Sequence, residues 1–189
     1  MRDIELLAPG GDIDSIKAAI LAGADAVYCG LDNFNARKRA ENLNFEQLNG
    51  LLRVAHQHQC QLFLTLNIIV LEHELPALFK LLNQLVNTDI DGVIVQDLGV
   101  FEILQRYYPS LDVHASTQLT THNCGQLQFL HALGASRANL SRELNLAEIT
   151  QLSSQAHQLN MLTEVFVHGS NCIGFSGLCY FSSAHGGNS

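Results

Sequence analysis

Seven short apolar runs, separated by six amphipathic patterns of helical period, constrain this chain more than any other feature. The runs predict strands at Ile4–Ala8, Ala26–Cys29, Leu62–Leu66, Gly92–Gln96, Asp112–Ser116, Arg137–Leu140 and Leu162–Val167. Most are continuous rather than alternating, as expected for parallel strands covered on both faces. Strand starts recur mostly at about 20–35 residues, the size of a βα unit. GADAVY, DIDGVIV and GASRANL each close a helix and open a strand, a weak internal repeat.

The intervening segments carry helix signals. SIKAAILAG follows Asp14, an expected N-cap, and stops at Gly23, an expected C-cap. FEQLNGLLRVAHQH, ELPALFKLLNQLVN, LGVFEILQRYY, CGQLQFLHALG and LAEITQLSSQAHQL obey the same period. Pro76 falls in a first turn, where its ring is tolerated. Such an alternation fits either a doubly wound sheet or a (β/α) barrel. No GxGxxG opens the first helix, which weighs against a dinucleotide-binding sheet. The expectation is an α/β chain forming a TIM-type barrel. It is incomplete, with about seven strands and six helices in 189 residues against the ~250 typical of that fold. The tail SSAHGGNS reads as an interrupted loop. Residues 1–189 are therefore expected to form a single barrel-like domain, the N-terminal part of a longer protein, with 169–189 as a Cys/Gly-rich loop and cut end.

Composition narrows the function classes. Apolar residues at 47 % allow a large core, and charged residues at 15 % are too few for a disordered tail or a coiled coil. A net charge of −8 argues against non-specific nucleic-acid binding by this part, Arg37, Lys38 and Arg39 being a local exception. No window approaches the ~20 apolar residues of a membrane span, and the start is too soon broken for a signal peptide. A cytoplasmic location is expected. In that compartment five scattered cysteines suggest free thiols or metal ligands rather than disulfides.

In a parallel barrel the C-terminal strand ends build the site. They carry Asn67, then Gln96 and Asp97, then His114, Ser116 and Gln118. Ser141, Arg142 and Glu143 follow strand six, Glu164 and His168 lie on strand seven, and the loop after strand two offers Asn33, Asn35 and Arg37. Each has a plainer reading: Asp97 as a helix cap, Arg142 and Glu143 as a solvated pair, His114 as a hydrogen-bonded interior residue. Pooled, they suit a pocket that orients a polar organic substrate. Cys29, Cys60 and Cys124 read as small structural residues. His56, His58, His73, His122 and His131 fit no metal pattern.

The run EVFVHGSNCIGFSGLCYFSS places Cys172 and Cys179 in a Gly-rich loop. Glycines let backbone close around a cluster and present N–H groups to sulfur. Thiolates suit zinc or iron–sulfur sites, although six intervening residues exceed a zinc-knuckle gap. A Cys172–His168 catalytic pair is the other reading of the spacing.

The same run resembles the signature of the collagenase-like peptidases of unknown catalytic type, the U32 peptidases, E-x-F-x-x-G-x-x-C-x-x-x-x-G-x-C-x-x-S. Glu164, Phe166, Gly169, Cys172, Gly177, Cys179 and Ser182 stand in register. ELLAPGG and AAILAGADAVYCGLDNFNAR resemble the family's N-terminal blocks. IVQDLGV, HASTQ and SRELNL are similar to the branch containing a bacterial ribosomal RNA hydroxylase. The resemblance implies a [4Fe–4S] cluster in the full-length protein, with Cys172 and Cys179 as two of its four cysteine ligands and the others encoded beyond Ser189. It implies oxygen-independent hydroxylation of ribosomal or transfer RNA, with prephenate as a possible cosubstrate. Arg37, His114, Gln118, Arg142, Glu143 and His168 would line the pocket, the arginines pairing an anionic cosubstrate bidentately. A peptidase, or a scaffold subunit in ubiquinone-precursor hydroxylation, is the alternative the family also contains. No Ser-His-Asp order, HExxH or aspartic dyad supports proteolysis. An RNA substrate would need basic surface from elsewhere in the protein, and homo- or hetero-oligomers are expected to be open to it.

Overall fold

The computed structural model describes residues 4–31, 34–35, 43–169 and 172–178. Strands and helices alternate as β1 (Leu7–Pro9), α1 (Ile13–Leu21), β2 (Ala26–Cys29), α2 (Phe45–Gln57), β3 (Gln61–Leu66), α3 (Leu75–Leu85) and β4 (Gly92–Val95). The series continues with α4 (Leu98–Tyr107), β5 (Val113–Ala115), α5 (Cys124–Ala132), β6 (Arg137–Asn139), α6 (Leu146–Gln158) and β7 (Leu162–Glu164). The strands follow one another in the sheet in chain order, β1 to β7. A doubly wound sheet reverses direction at a switch point; this order does not, in agreement with the barrel-type arrangement expected from the sequence. The fold is an α/β TIM-like arrangement, with seven strands among the described residues against the eight of a closed barrel.

The chain divides into two compact units, the first ending at Ile94 and the second starting at Val95. In the first, β1–β3 pair in parallel, with Leu7 beside Ala26 and Ala26 beside Gln61. Ala26, Phe63 and Ile94 share one face with Leu7 and Tyr28, and this face is apolar. Val27 and Leu62, both fully buried, point the other way; Ile16 of α1 and Val27 both crowd the space around Gly10. Leu48, Leu52, Leu78 and Leu82 complete the helix-side core. Asp91 Oδ2 accepts from the Leu62 N–H at 2.7 Å and meets His56 Nε2 at 2.9 Å, tying α2 to the start of β4.

In the second unit β5, β6 and β7 are parallel, with His114 opposite Arg137 and Asn139 opposite Glu164. Thr163 faces α6, its hydroxyl 2.9 Å from that of Ser153. Strand period 2 therefore puts His114, Ser116, Arg137, Asn139 and Glu164 on the face away from the helices.

Local differences from the sequence expectation have physical causes. The N-cap of α1 is Asp12, not Asp14, because Asp12 and Ser15 form a reciprocal capping box. Gly23 lies just past the helix with φ +88°. β1 begins at Leu7 rather than Ile4 and takes Pro9, tolerated on an edge strand. β7 stops at Glu164 rather than Val167, since Leu140 N–H donates to the Glu164 carbonyl in the last ladder bond. Beyond it the β6 chain turns toward Thr121, which accepts from Ser141 N–H. Asp97 caps α4 through the amides of Gly99 and Val100, its plainer reading. Among the described residues no helix is long and apolar enough to cross a membrane.

Candidate functional site

Polar groups gather in the second unit, in two layers. The first is the ladder on the helix-free face. Arg137 and Asn139 are 8 % and 7 % exposed, and Asn139 Nδ2 donates to Glu164 Oε1 at 2.6 Å. Burial pushes the Glu164 carboxyl up, and the nearby Arg137 guanidinium only partly offsets it. The ladder thus contains an acid group inclined to hold its proton. His114 is 3 % exposed, and its Nε2 lies 2.9 Å from Asp112 Oδ2, on the side of the strand start. Desolvation raises the Asp112 carboxyl, but hydrogen bonds from His114 and Ser136 outweigh it and hold the group below its ordinary value.

The second layer lies where the chain leaves β5, β6 and β7. After β5, a 3-10 turn at Thr117–Leu119 carries Gln118, whose amide donates to Ser116 Oγ at 3.2 Å. After β6, Arg142 and Glu143 reach the loop that follows β7. Arg142 Nη2 donates to the Gly174 carbonyl at 2.8 Å and Nε to Ser176 Oγ at 3.3 Å. Glu143 Oε1 accepts from the Ser176 amide at 2.8 Å. Desolvation raises Glu143, but the Ser176 and neighbouring hydrogen bonds outweigh it and hold the carboxyl below its ordinary value. Cys172 is exposed, and hydrogen bonding from Gly174 N–H, then from Arg142, lowers its thiol toward the thiolate.

Cys172 differs from the two buried cysteines. Burial pushes the Cys29 thiol up to about 12. Cys60 is likewise raised, by desolvation and by Asp91 and Asp25. Both keep their protons and pack as small apolar residues, as the sequence suggested.

The predicted residues therefore separate. Arg142, Glu143 and Cys172 come together on the loop, with the Gln118 backbone close by at Gly177. His114 sits lower in the ladder. His168 is exposed beyond the end of β7. Arg37 and Cys179 lie outside the described residues. The Nε–Nη2 edge of Arg142, expected to grip an anion, is turned to the loop instead. Sequence reasoning passed over Arg137, Asn139, Thr120 and Ser176. The first two carried a readable signal: polar residues flank Ala138 at strand period, as His114 and Ser116 flank Ala115.

Among the described residues no three His, Cys, Asp or Glu side chains are grouped to hold a metal. Within the described part of the loop, Cys172 supplies a soft donor, its thiol lowered by the Gly174 amide and Arg142. A hollow of about 380 Å³ in the first unit is lined mainly by Leu31, Phe34, Leu43, Phe45 and Leu81, and by none of the predicted residues among those described.

Residues 11–189 match the family model described as peptidase family U32. A 23S rRNA 5-hydroxycytidine synthase of Escherichia coli is 38 % identical over 187 residues, covering 98 % of this chain and 27 % of that protein. The tRNA hydroxylation protein P of the same organism is 32 % identical, covering 94 % of this chain and 39 % of its own length. This chain thus spans well under half of either relative. The solved structure of the U32 peptidase Mk0906 superposes with a TM-score of 0.67 over 85 % of this chain and 66 % of that one, at 15 % identity, a likeness of fold.

Proposed function

We propose that this chain, which belongs to peptidase family U32, supplies the Cys172–Cys179 part of an iron–sulfur site in an RNA-hydroxylating enzyme. One observation carries the reading: Cys172 is exposed beyond β7, with an amide and a guanidinium inclined toward its thiolate form, while Cys29 and Cys60 are buried as protonated thiols. Thiolate chemistry fits an iron–sulfur cluster, for which Cys172 and Cys179 would be two of four ligands. When bound, the cluster would supply electron transfer or a Lewis-acidic iron. The chain's own residues orient the loop through Arg142 and Glu143. They also provide a carboxyl at Glu164 that holds a proton higher in pH than usual, with Asn139 fixing its orientation. Hydroxylation as the reaction, and RNA as the substrate, draw support from the two relatives named for rRNA and tRNA hydroxylation. Prephenate as the anionic cosubstrate belongs to the same proposal and rests on the family likeness alone.

The test is nucleoside mass spectrometry of ribosomal and transfer RNA from cells with and without the gene. The proposal expects one nucleoside to lose an oxygen in the deletion. Wild type should restore it, and Cys172→Ser and Cys179→Ser should not. Unchanged RNA, together with peptide or gelatin cleavage by the purified protein that survives iron removal, would overturn it in favour of a peptidase.

A further inference from the structure

Resting on the reading of Cys172 as a cluster ligand, we infer that Arg142 and Glu143 are positioning residues that fasten the cysteine loop at Ser176, between Cys172 and Cys179, and are not substrate ligands. Ser176 is 3 % exposed, whereas Cys172, Ile173, Phe175 and Leu178 are exposed. Among the described residues of the loop, 172–178, Ser176 is the buried one. All three of its polar groups are held from outside the loop. Its amide donates to Glu143 Oε1 at 2.8 Å, its carbonyl accepts from Thr120 Oγ1 at 2.6 Å, and its hydroxyl accepts from Arg142 Nε at 3.3 Å. Arg142 Nη2 adds the Gly174 carbonyl, two residues from Cys172.

These partners come from two strand ends that are themselves joined. Thr121 and Leu140 form a parallel bridge, and Ser141 N–H donates to the Thr121 carbonyl at 2.9 Å. Gly177 closes the attachment. Its φ is +72°, and a Cβ there would stand 2.2 Å from the Gln118 carbonyl oxygen, so the backbone makes this approach only as glycine. These contacts restrain a segment whose glycines would otherwise sample many conformations. Arg142 presents to the loop the planar N–H edge that would bind a carboxylate. Its role is that of the outer groups that orient metal ligands.

The experiment uses the whole protein, reconstituted anaerobically with ferrous iron and sulfide, as wild type, Arg142→Ala, Arg142→Lys and Glu143→Gln. Arg106→Ala, in a surface ion pair with Glu102, is the control. Iron content, the rate of iron loss to a chelator and the EPR spectrum of the reduced protein are read. Amide exchange at Ser176 is read in the metal-free form. Arg142→Ala and Glu143→Gln should lose iron about 10–100-fold faster than wild type, with an altered EPR spectrum and faster exchange at Ser176. Arg142→Lys should recover part of the retention, and Arg106→Ala should match wild type. A wild type that loads, beside variants that keep iron and give the same spectrum and exchange, overturns the positioning role and leaves the cluster reading standing. A wild type that loads no cluster overturns both.

Discussion

At the scale of the residue, Glu164 shows how surroundings assign a role that type alone does not. Its carboxyl is raised mainly because burial penalises the charged form. A group raised on folding favours the native state below its unfolded value of 4.5 and loses that advantage as pH climbs through the folded value. Glu164→Gln keeps the acceptor for Asn139 and removes the titration. Its melting temperature relative to wild type should therefore rise as pH increases from 4.5 toward neutrality; a difference flat with pH would contradict the assignment. Gly177→Ala meets both a positive φ and the Gln118 carbonyl, and should cost about 1–3 kcal/mol of local stability by amide exchange across 172–178. Little of this was visible in sequence. The signature marked Gly177 and Glu164, but Ser176 is an ordinary serine whose importance comes from three partners 33 to 56 residues away in the chain.

At the scale of the element, periodicity gave most of the architecture, because helices of period 3.6 and buried strands leave different marks. α2 and α6 begin where Asn44 with Gln47 and Asn145 with Glu148 form reciprocal caps. Asn145→Ala should lower stability by about 1 kcal/mol in denaturant unfolding, and an unchanged midpoint would mean the cap is idle. Leu82, fully buried in α3, should lose about 2–5 kcal/mol on change to Ala. What periodicity obscured was the difference between the strands. β4 is buried at all four positions, as a continuous apolar run should be. β5 and β6 instead alternate small apolar with polar residues, and only pairing of His114 with Arg137, and of Asn139 with Glu164, shows that the polar set forms one face. The early end of β7 was likewise hidden, since Val165–Val167 have β-type side chains, yet among the described residues the ladder ends at Glu164.

At the scale of the molecule, the strands run in chain order and the family match covers residues 11–189; the proposal set on this frame is that the loop beyond β7 presents a cysteine thiolate to a metal cluster. The two cysteines drew attention in the sequence because they stand together in a glycine-rich run. The attachment that holds the loop did not, because it joins strand ends brought together only by the fold. Cluster content per chain, by iron and acid-labile sulfide analysis and visible absorption after anaerobic reconstitution of the whole protein, tests this most directly. The account predicts a brown chromophore with equal iron and sulfide, lost in Cys172→Ser and Cys179→Ser and kept in Cys29→Ser where that variant folds. Absence of the chromophore from wild type, or its survival in Cys172→Ser, would contradict the account.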